Sequence, residues 1–417
     1  MKAAKGSGDS FAVIAAIVIL VTFGARASNN MIATTLPLLV KRLFNFNGLA
    51  VGLIATAFMG STFVSSTFIN ARLPAASRRK FFVAAAIVYA ALFPLYAFSS
   101  PLTVWVLAVA AGMALGPIMP NIMTSARSLR DLKARERLLT IYTLALSTSL
   151  LVGPAIDSVI VKYVGLKASF IFFEPIAALV AVMAPLVRFP EEGRPSKGSG
   201  MPRVTSILTN NGFIAASLNN LTYSVPFAFI TSFAGLYAEY RFHVSNSVAL
   251  LLYSLFYTTS FLGRLVLAIR PPYNVVRLMI LSSSLTLLGL VAAWASPTLL
   301  VYMAALLLLG IPHGLTYTLS VISISRTFDP RSLNAANSYF FSIMMIIGSG
   351  LPAALGAIVT AAGYQTTILS IVPIVAIIFG ATMFFARRAS AVLVRPSVIT
   401  EAPKLAFILP LIVVSGT

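Results

Sequence analysis

Residues 11–38 read FAVIAAIVILVTFGARASNNMIATTLPL, a stretch of 28 residues in which Arg26 is the single charged side chain. A helix of about 20 apolar residues is long enough to cross the roughly 30 Å of hydrocarbon in a bilayer. The stretch is too long and too evenly apolar for a strand of a membrane barrel. It therefore predicts a transmembrane helix, because a helix satisfies all its backbone polar groups internally.

The composition extends this interpretation to the whole chain. Of its 417 residues, 59% are hydrophobic and 10% are charged, and the mean hydropathy is +0.94. A soluble domain needs far more charge at its surface, so a water-soluble enzyme is excluded. The chain has no cysteine, two histidines and ten acidic residues. A disulfide scaffold is therefore excluded, the small number of histidines and acids argues against a dense metal site, and we expect no cofactor.

Eleven further apolar stretches follow the first one and are separated by short polar turns. Each is long enough to cross the hydrocarbon. We therefore predict an all-α membrane protein with twelve transmembrane helices, over residues 11–38, 48–70, 81–99, 101–125, 138–161, 169–189, 212–237, 248–269, 277–296, 298–324, 334–360 and 364–386.

The basic residues predict how these helices are oriented. With the N-terminus in the cytoplasm, twenty-four Lys and Arg fall on the inner side and five on the outer side. Cytoplasmic loops carry such an excess, so both termini are expected in the cytoplasm. The net charge of +20 follows from this distribution. We expect no nucleic-acid partner, because no basic patch is interleaved with aromatic residues.

The two halves of the chain repeat each other. A shift of 198 residues superimposes Arg79 on Arg277, Gly112 on Gly310, Asp131 on Asp329, Pro154 on Pro352, Gly165 on Gly363 and Pro175 on Pro373. The first two spans of each half fit this shift less cleanly. Two six-helix bundles in a parallel repeat are predicted, with a binding site at their interface near the middle of the membrane. The expected units are a first bundle, a cytoplasmic linker, a second bundle and a tail, at 1–190, 191–210, 211–390 and 391–417.

Over residues 11–390 the sequence resembles the major facilitator superfamily. The basic triplet at 78–80 resembles the end of that family's signature loop, and Gly263-Arg264-Leu265 resembles the copy of this loop in the second half. Residues 112–116 resemble its glycine-rich fourth span. Gly153-Pro154 resembles the antiporter motif in its fifth span. The resemblance implies a secondary transporter that works by alternating access, without enzymatic activity.

The sequence also departs from the family's motifs. Neither 70–80 nor 263–277 contains the acidic residue of the signature loop. Ala108 stands where the fourth span of proton antiporters carries an arginine. The glycine before Gly153-Pro154 is replaced by Ser149, and the following glycine pair is replaced by Asp157-Ser158.

Arg26 is the first candidate for substrate binding. A charged side chain at the centre of a bilayer costs at least about 2.5–3.5 kcal/mol, so it needs a reason to be there. Asn29 and Asn30 follow at i+3 and i+4 and share its helical face. We predict that these three residues line a cavity. The alternative is a structural hydrogen-bond network, or an Arg26 side chain that extends to the interface.

Other polar side chains are candidates for the same cavity. They lie on the fourth, seventh and tenth spans: Asn121, Asn219, Tyr223, His313 and Tyr317. The alternative is interhelical hydrogen bonding, which averages about 0.6 kcal/mol per bond in membrane bundles. Arg264 lies near a predicted cytoplasmic end, and its resemblance to the loop motif favours a structural role.

Asp157 and His313 are the candidates for proton coupling. His313 is predicted to titrate near neutral pH, or else to bond a carbonyl group that Pro312 leaves free. Asp157 is predicted to be a coupling carboxylate or a counter-ion to Arg26. The alternative for Asp157 is an interfacial acid paired with a loop lysine such as Lys162.

The leading functional prediction is a proton-coupled exporter of a small organic solute. The alternative is a transporter for the uptake of an organic or inorganic anion bound through Arg26. A membrane enzyme would need a convergent acid–base set, and the sequence contains none that we can identify. The expected partners are a small-molecule substrate, the lipid bilayer and protons, and the protein is expected to be a monomer in the plasma membrane.

Overall fold

The computed structural model describes residues 8–125, 132–187, 189, 204–270 and 272–394. Within these residues the regular structure is helical, apart from one isolated bridge between Asn274 and Val394. The α-helices of this part are α1 (Gly8–Phe44), α2 (Gly48–Val64), α3 (Ala75–Ala97), α4 (Thr103–Leu115), α5 (Ile118–Ser125), α6 (Leu132–Met183), α7 (Val204–Leu208), α8 (Asn211–Phe229), α9 (Gly235–Phe242), α10 (Asn246–Ile269), α11 (Val275–Ala295), α12 (Leu299–Thr327), α13 (Pro330–Arg388) and α14 (Ser390–Leu393).

Short irregular helices extend three of these elements. A π-helical turn at Ser65–Ile69 and a 3₁₀ turn at Asn70–Arg72 continue α2, and a 3₁₀ turn at Ala184–Leu186 continues α6. A second π-helical turn, Ile230–Ala234, joins α8 to α9 without a break. The predicted linker lies mostly outside the described residues, and the predicted tail is described only as far as Val394.

Ten helices of the described part are long and apolar enough to cross a membrane. Two of them are about twice the length of one crossing, at Ile141–Leu186 and Ala335–Arg388. Each contains a single non-helical glycine, Gly165 (φ 78°, ψ 174°) or Gly363 (φ 80°, ψ 172°). Glycine adopts this conformation at no steric cost because it has no Cβ.

The chain reverses direction at Gly165. A Cβ placed on Gly153 would lie 3.2 Å from Ala27, and a Cβ placed on Gly24 would lie 2.7 Å from the carbonyl oxygen of Ile176. In a straight helix, Gly153 and Ile176 would be about 34 Å apart, whereas Gly24 and Ala27 are only about 4.5 Å apart along α1. Both arms of α6 therefore pack against the same short part of α1.

The chain also reverses at Gly363. Arg326, which precedes α13, donates from Nη1 to the carbonyl oxygen of Leu393, which follows α13, over 3.0 Å. As a straight rod, the 59 residues of α13 would extend about 89 Å. Its two ends meet instead, so α13 is a pair of antiparallel arms.

The internal repeat is more regular than the sequence suggests. Helix α1 ends at Phe44 and α9 ends at Phe242, 198 residues later. The next residues, Asn45 (φ 55°) and His243 (φ 53°), are the two non-glycine residues with positive φ among those described. The first spans, whose sequences fit the shift less cleanly, therefore follow it in their backbone. The repeat is preserved in helix ends and backbone conformation, whereas the side chains have diverged.

The repeat extends to contacts inside each half. A Cβ placed on Gly112 would lie 2.2 Å from the carbonyl oxygen of Phe58, and one on Gly310 would lie 2.1 Å from that of Phe256. Both glycines and both acceptors are related by the shift of 198 residues. Each half, α1–α6 and α8–α13, therefore uses the same close backbone packing between its second and fourth spans.

The two halves pack most closely at one end of the bundle, which we call the closed end. The hydroxyl groups of Ser158 and Ser247 lie 3.0 Å apart across it. Here α2 and the first arm of α13 touch through their backbones, since a Cβ placed on Gly52 would lie 2.1 Å from the carbonyl oxygen of Pro352. The Leu49 backbone N–H also donates to Thr360 Oγ1 over 2.7 Å.

Farther along, the same two helices lack such close backbone contacts, toward what we call the open end. Gly60 lies eight residues beyond Gly52 on α2, and Gly348 lies eight residues before Gly356 on α13. No described atom lies within 4 Å of a Cβ placed on Gly60 or Gly348. The packing between these helices is therefore looser here than at the closed end, and we call the region between the halves beside Arg26 the chamber.

Candidate functional site

Arg26 lies midway along α1 and is half-buried. Its Nε is buried and has no hydrogen-bond partner among the described residues. Within the same residues the one ion pair joins Arg42 to Glu239, so no described acid neutralises Arg26. Arg26 is thus a cation without a counter-ion at the interface of the two halves.

A second cation, Arg264, reaches the chamber from α10. It is half-buried and close enough to Arg26 for the two guanidinium groups to interact electrostatically. Its Nη1 donates to Ser147 Oγ on α6 over 3.2 Å, which links the two halves. The prediction of a structural Arg264 near a cytoplasmic end is consistent with this hydrogen bond, which also places its side chain at the interface of the halves.

Asn30 and Tyr257 join the halves next to these cations. The Tyr257 hydroxyl donates to Asn30 Oδ1 over 2.9 Å, from α10 to α1. Asn30 is only 4% exposed, and its Nδ2 is buried without a partner among the described residues. A buried N–H group without an acceptor is costly, so Asn30 offers a donor that a ligand could use.

Three other predicted residues lie in this region. Tyr317 is 49% exposed and within electrostatic range of both Arg26 and Arg264. His313 lies deeper, with Nδ1 2.7 Å from Ser260 Oγ and its ring stacked on Phe227 at 4.5 Å between centroids. Asn29 is half-buried on α1.

The remaining predicted binding residues are Asn121, Asn219 and Tyr223. Tyr223 borders this group, with its ring centroid 5.5 Å from that of His313, whereas the hydrogen bonds of Asn121 and Asn219 lie outside it. Each is at least nine-tenths buried and bonds within its own half. Asn121 Nδ2 donates to Asn70 Oδ1 over 2.8 Å, and Asn219 Nδ2 donates to Ser320 Oγ over 2.9 Å. The Tyr223 hydroxyl donates to the carbonyl oxygen of Leu309 over 2.9 Å. These contacts match the alternative interpretation, in which the side chains join helices.

Asp157 is fully buried at the closed end. Its Oδ2 accepts a hydrogen bond from Thr35 Oγ1, and the next residue, Ser158, bonds Ser247 across the halves. Thr35 is nine residues from Arg26, about 13 Å along α1. Among the described residues Asp157 forms an ion pair neither with Arg26 nor with Lys162, because its position beside Thr35 keeps it away from both.

An ion pair that the sequence did not predict joins the halves at the closed end. Arg42 Nε and Glu239 Oε2 are 2.9 Å apart, with side chains 47% and 1% exposed. They border a cavity of about 430 Å³. Glu239 lies two residues past the predicted end of its span, and the helical conformation in fact continues to Phe242. The position of an acidic residue so close to an apolar run was the feature of the sequence that could have indicated this ion pair.

We expect Arg42→Gln to weaken the closed end. It removes a charge-assisted hydrogen bond, which contributes about 1.5–3 kcal/mol. Because the Arg42 side chain is half-exposed, we expect a contribution near the lower value. That corresponds to roughly a tenfold change in the conformational equilibrium. Spin labels on Leu102→Cys and Leu300→Cys, which are exposed and in opposite halves, would report this opening as a longer distance. The double variant Arg42→Gln/Glu239→Gln leaves no buried unpaired charge and should return toward the wild-type distance. An unchanged distance in Arg42→Gln would exclude a role for the pair in holding this end closed.

The fold and part of the sequence match known proteins. The sequence model of the Major Facilitator Superfamily matches residues 18–272. A bacterial homologue of the human lysosomal transporter Spinster, in an inward-facing and occupied conformation, aligns with 14% identity and a TM-score of 0.70 over 91% of this chain and 96% of that one. A POT family transporter in complex with 5-aminolevulinic acid aligns with 10% identity and a TM-score of 0.75, over 90% and 96%.

The nucleoside transporter NupG aligns with 14% identity and a TM-score of 0.64, over 89% of this chain and 98% of that one. No curated protein sequence matches the chain significantly. At such low identities the three solved structures establish a shared fold and nothing about the substrate.

Proposed function

The chain belongs to the major facilitator superfamily, and we propose that it carries a small organic solute across the membrane by alternating access. It is a multi-pass membrane protein, and its family and structural relatives indicate a transporter rather than an enzyme. One observation carries the proposal. The backbones of the halves touch at the closed end and lack such contacts toward the open end, and half-buried polar side chains lie between the halves. A transporter whose binding site is accessible from one side of the membrane has this shape.

The proposed topology has twelve crossings, with both termini in the cytoplasm. Ten candidate helices among the described residues, two of which fold back at Gly165 and Gly363, support this number. The excess of basic residues on one side supports an open end that faces the cytoplasm. We expect the protein to act as a monomer in the plasma membrane, with bundles and linker at the boundaries predicted from the sequence.

The substrate that best suits the chamber carries an anionic group. Arg26 has no acidic partner among the described residues, and Asn30 offers an unused donor beside it. Guanidinium groups bind carboxylates and phosphates with paired hydrogen bonds. A cationic drug-like solute would instead meet an uncompensated positive charge. This favours the alternative of an organic anion bound through Arg26.

Proton coupling remains part of the proposal. Asp157 is buried next to the Ser158–Ser247 contact, so opening the closed end would change its exposure to water. A coupling carboxylate requires such a change between conformations. His313 is a weaker candidate, because Ser260 already bonds its Nδ1.

Arg26→Gln tests the anionic substrate. We expect the apparent affinity for carboxylate- or phosphate-bearing solutes to fall about 10- to 100-fold, the equivalent of one charge-assisted hydrogen bond. The measurement is uptake by vesicles that contain the purified protein. Arg26→Lys should retain most binding. Arg79→Gln is the matched control, since it removes an exposed cation outside the chamber. Anion transport that is equal in Arg26→Gln and the wild type would refute the site.

A further inference from the structure

The cavity of about 430 Å³ at the closed end lies between the two halves. Lys41 and Arg42 of α1 line it from the first half, and Glu239 of α9 and Tyr364 of α13 line it from the second. Arg26 lies fifteen residues before Lys41, about 22 Å away along α1, and does not line this cavity. The cavity is therefore separate from the site proposed around Arg26.

Two charged side chains of this cavity are incompletely paired within the described part of the chain. Lys41 is half-buried and forms no ion pair with a described acid. Glu239 is 2% exposed, and its Oε2 pairs with Arg42, whereas its Oε1 is buried without a hydrogen-bond partner among the described residues. A buried carboxylate oxygen without a donor is costly. The cavity therefore has room for an anionic group beside Lys41 and a donor beside Glu239.

A zwitterion supplies both of these groups. Its carboxylate would pair with the Lys41 ammonium group, and its own ammonium group would donate to Glu239. A simple anion would stand beside the Glu239 carboxylate and a simple cation beside Lys41, so each would meet a like charge. Tyr240 and Tyr364 line the same cavity with ring centroids 5.7 Å apart, and they offer an aromatic surface to an apolar side chain. Together these features fit an aromatic amino acid.

The two sides of this cavity stay together only while the closed end is closed. They belong to different halves and are joined by the Arg42–Glu239 ion pair and by the hydrogen bond from Leu49 to Thr360. Opening this end moves Lys41 away from Glu239, so a ligand that pairs with both loses one partner. A ligand that prefers one conformation shifts the equilibrium toward it. An occupant of the cavity therefore stabilises the closed end.

We propose that this cavity is a second binding site, for an aromatic amino acid held between Lys41 and Glu239, and that its occupation holds the closed end closed. Such a site is regulatory, because alternating access has to open this end in every cycle. The regulatory role rests on the proposed function, whereas the binding site rests on the cavity alone. The amino acid slows transport without competing for Arg26.

Thermal unfolding of the purified full-length protein measures this binding, because a ligand of the folded state raises the midpoint. The measurement is made in the wild type and in Arg26→Gln, which excludes binding in the chamber. We expect phenylalanine to bind about 10- to 100-fold more tightly than 3-phenylpropionate, which lacks the ammonium group, or phenethylamine, which lacks the carboxylate. Equal stabilisation by 3-phenylpropionate would replace the zwitterion with a plain anion and overturn the proposal, as would no stabilisation by phenylalanine.

Lys41→Gln tests the carboxylate partner without breaking the Arg42–Glu239 ion pair. We expect the affinity for phenylalanine to fall at least about tenfold and the affinity for phenethylamine to be retained. Lys162→Gln is the matched control, since Lys162 is an exposed cation whose Nζ lies over the Tyr163 ring, outside the cavity. An affinity for phenylalanine that is the same in Lys41→Gln and the wild type would overturn the site.

Gly52→Leu tests the link between binding and closure. Gly52 does not line the cavity, but a side chain there would meet the backbone of Pro352 and force the closed end apart. We expect phenylalanine binding to be lost in Gly52→Leu and retained in Gly60→Leu, with spin labels on Leu102→Cys and Leu300→Cys to report the opening. Full binding in an opened Gly52→Leu would overturn the regulatory role. Binding needs no transported solute, so the site and the proposed function can fail separately.

Discussion

A disulfide between Ser158→Cys and Ser247→Cys is expected to stop transport completely, and a reductant is expected to restore it. The two hydroxyl oxygens are 3.0 Å apart across the halves at the closed end, so two sulfur atoms in their places need to approach by only about 1 Å to form a disulfide bond. Alternating access requires this end to open in every cycle, so a covalent bond there traps the carrier. The natural chain has no cysteine, so no other thiol competes.

A second cysteine pair controls for oxidation and for the bond itself. Ser282 Oγ and Thr316 Oγ1 are 2.7 Å apart inside the second half, so they offer a similar geometry without joining the halves. The disulfide Ser282→Cys/Thr316→Cys should leave transport largely intact, as should each single cysteine. Full transport with the cross-half disulfide formed would rule out opening at this end, and with it alternating access between these halves.

Gly52→Leu is expected to prevent the closed end from forming. A Cβ at this position would lie 2.1 Å from the carbonyl oxygen of Pro352, which belongs to backbone and has no side-chain freedom to move. Overpacking costs about 1–3 kcal/mol where side chains can adjust, and more against backbone. The equilibrium should therefore shift by at least roughly 10- to 100-fold toward the conformation in which this end is open.

Two measurements check this shift. The distance between spin labels on Leu102→Cys and Leu300→Cys should lengthen, and solute uptake should fall to background. Gly60→Leu is the matched control, since no described atom lies within 4 Å of its added Cβ. That variant should leave the label distance as in the wild type, because it adds bulk only at the open end. A wild-type distance in Gly52→Leu would contradict the backbone contact.

Helix positions were predictable because the thickness of the hydrocarbon dictates the length of each apolar run. The predicted span 248–269 corresponds to α10 at Asn246–Ile269, and 277–296 to Val275–Ala295. The first span was predicted too short, since α1 continues through Lys41 and Arg42 to Phe44. A hydropathy criterion ends the predicted span at the first charged residues. The helix itself can continue past the hydrocarbon when those charged residues have partners. Arg42 finds such a partner in Glu239, 197 residues away.

The binding site was predictable only in part. Arg26 is conspicuous because a lone charge in an apolar run requires a reason. Arg264 resembled a loop motif, and its position at the interface of the halves depends on how two distant helices cross. Asn121 and Asn219 carry the same side chain as Asn30, yet they bond inside their own halves. Helical spacing identifies a shared face, and the tertiary packing decides whether that face meets a neighbouring helix or the chamber.

The glycine contacts at the closed end have a consequence for how such a carrier can evolve. Gly48, Gly52 and Gly356 meet through backbone atoms, so we expect almost any replacement there to block the conformational cycle, whichever solute is transported. We expect the exposed position Tyr317 to tolerate many residues without disturbing these contacts. Random mutagenesis under selection should therefore leave the glycines untouched while Tyr317 varies freely. The substrate range could then diversify in descendants of this gene, while all of them retain the same opening and closing of the closed end.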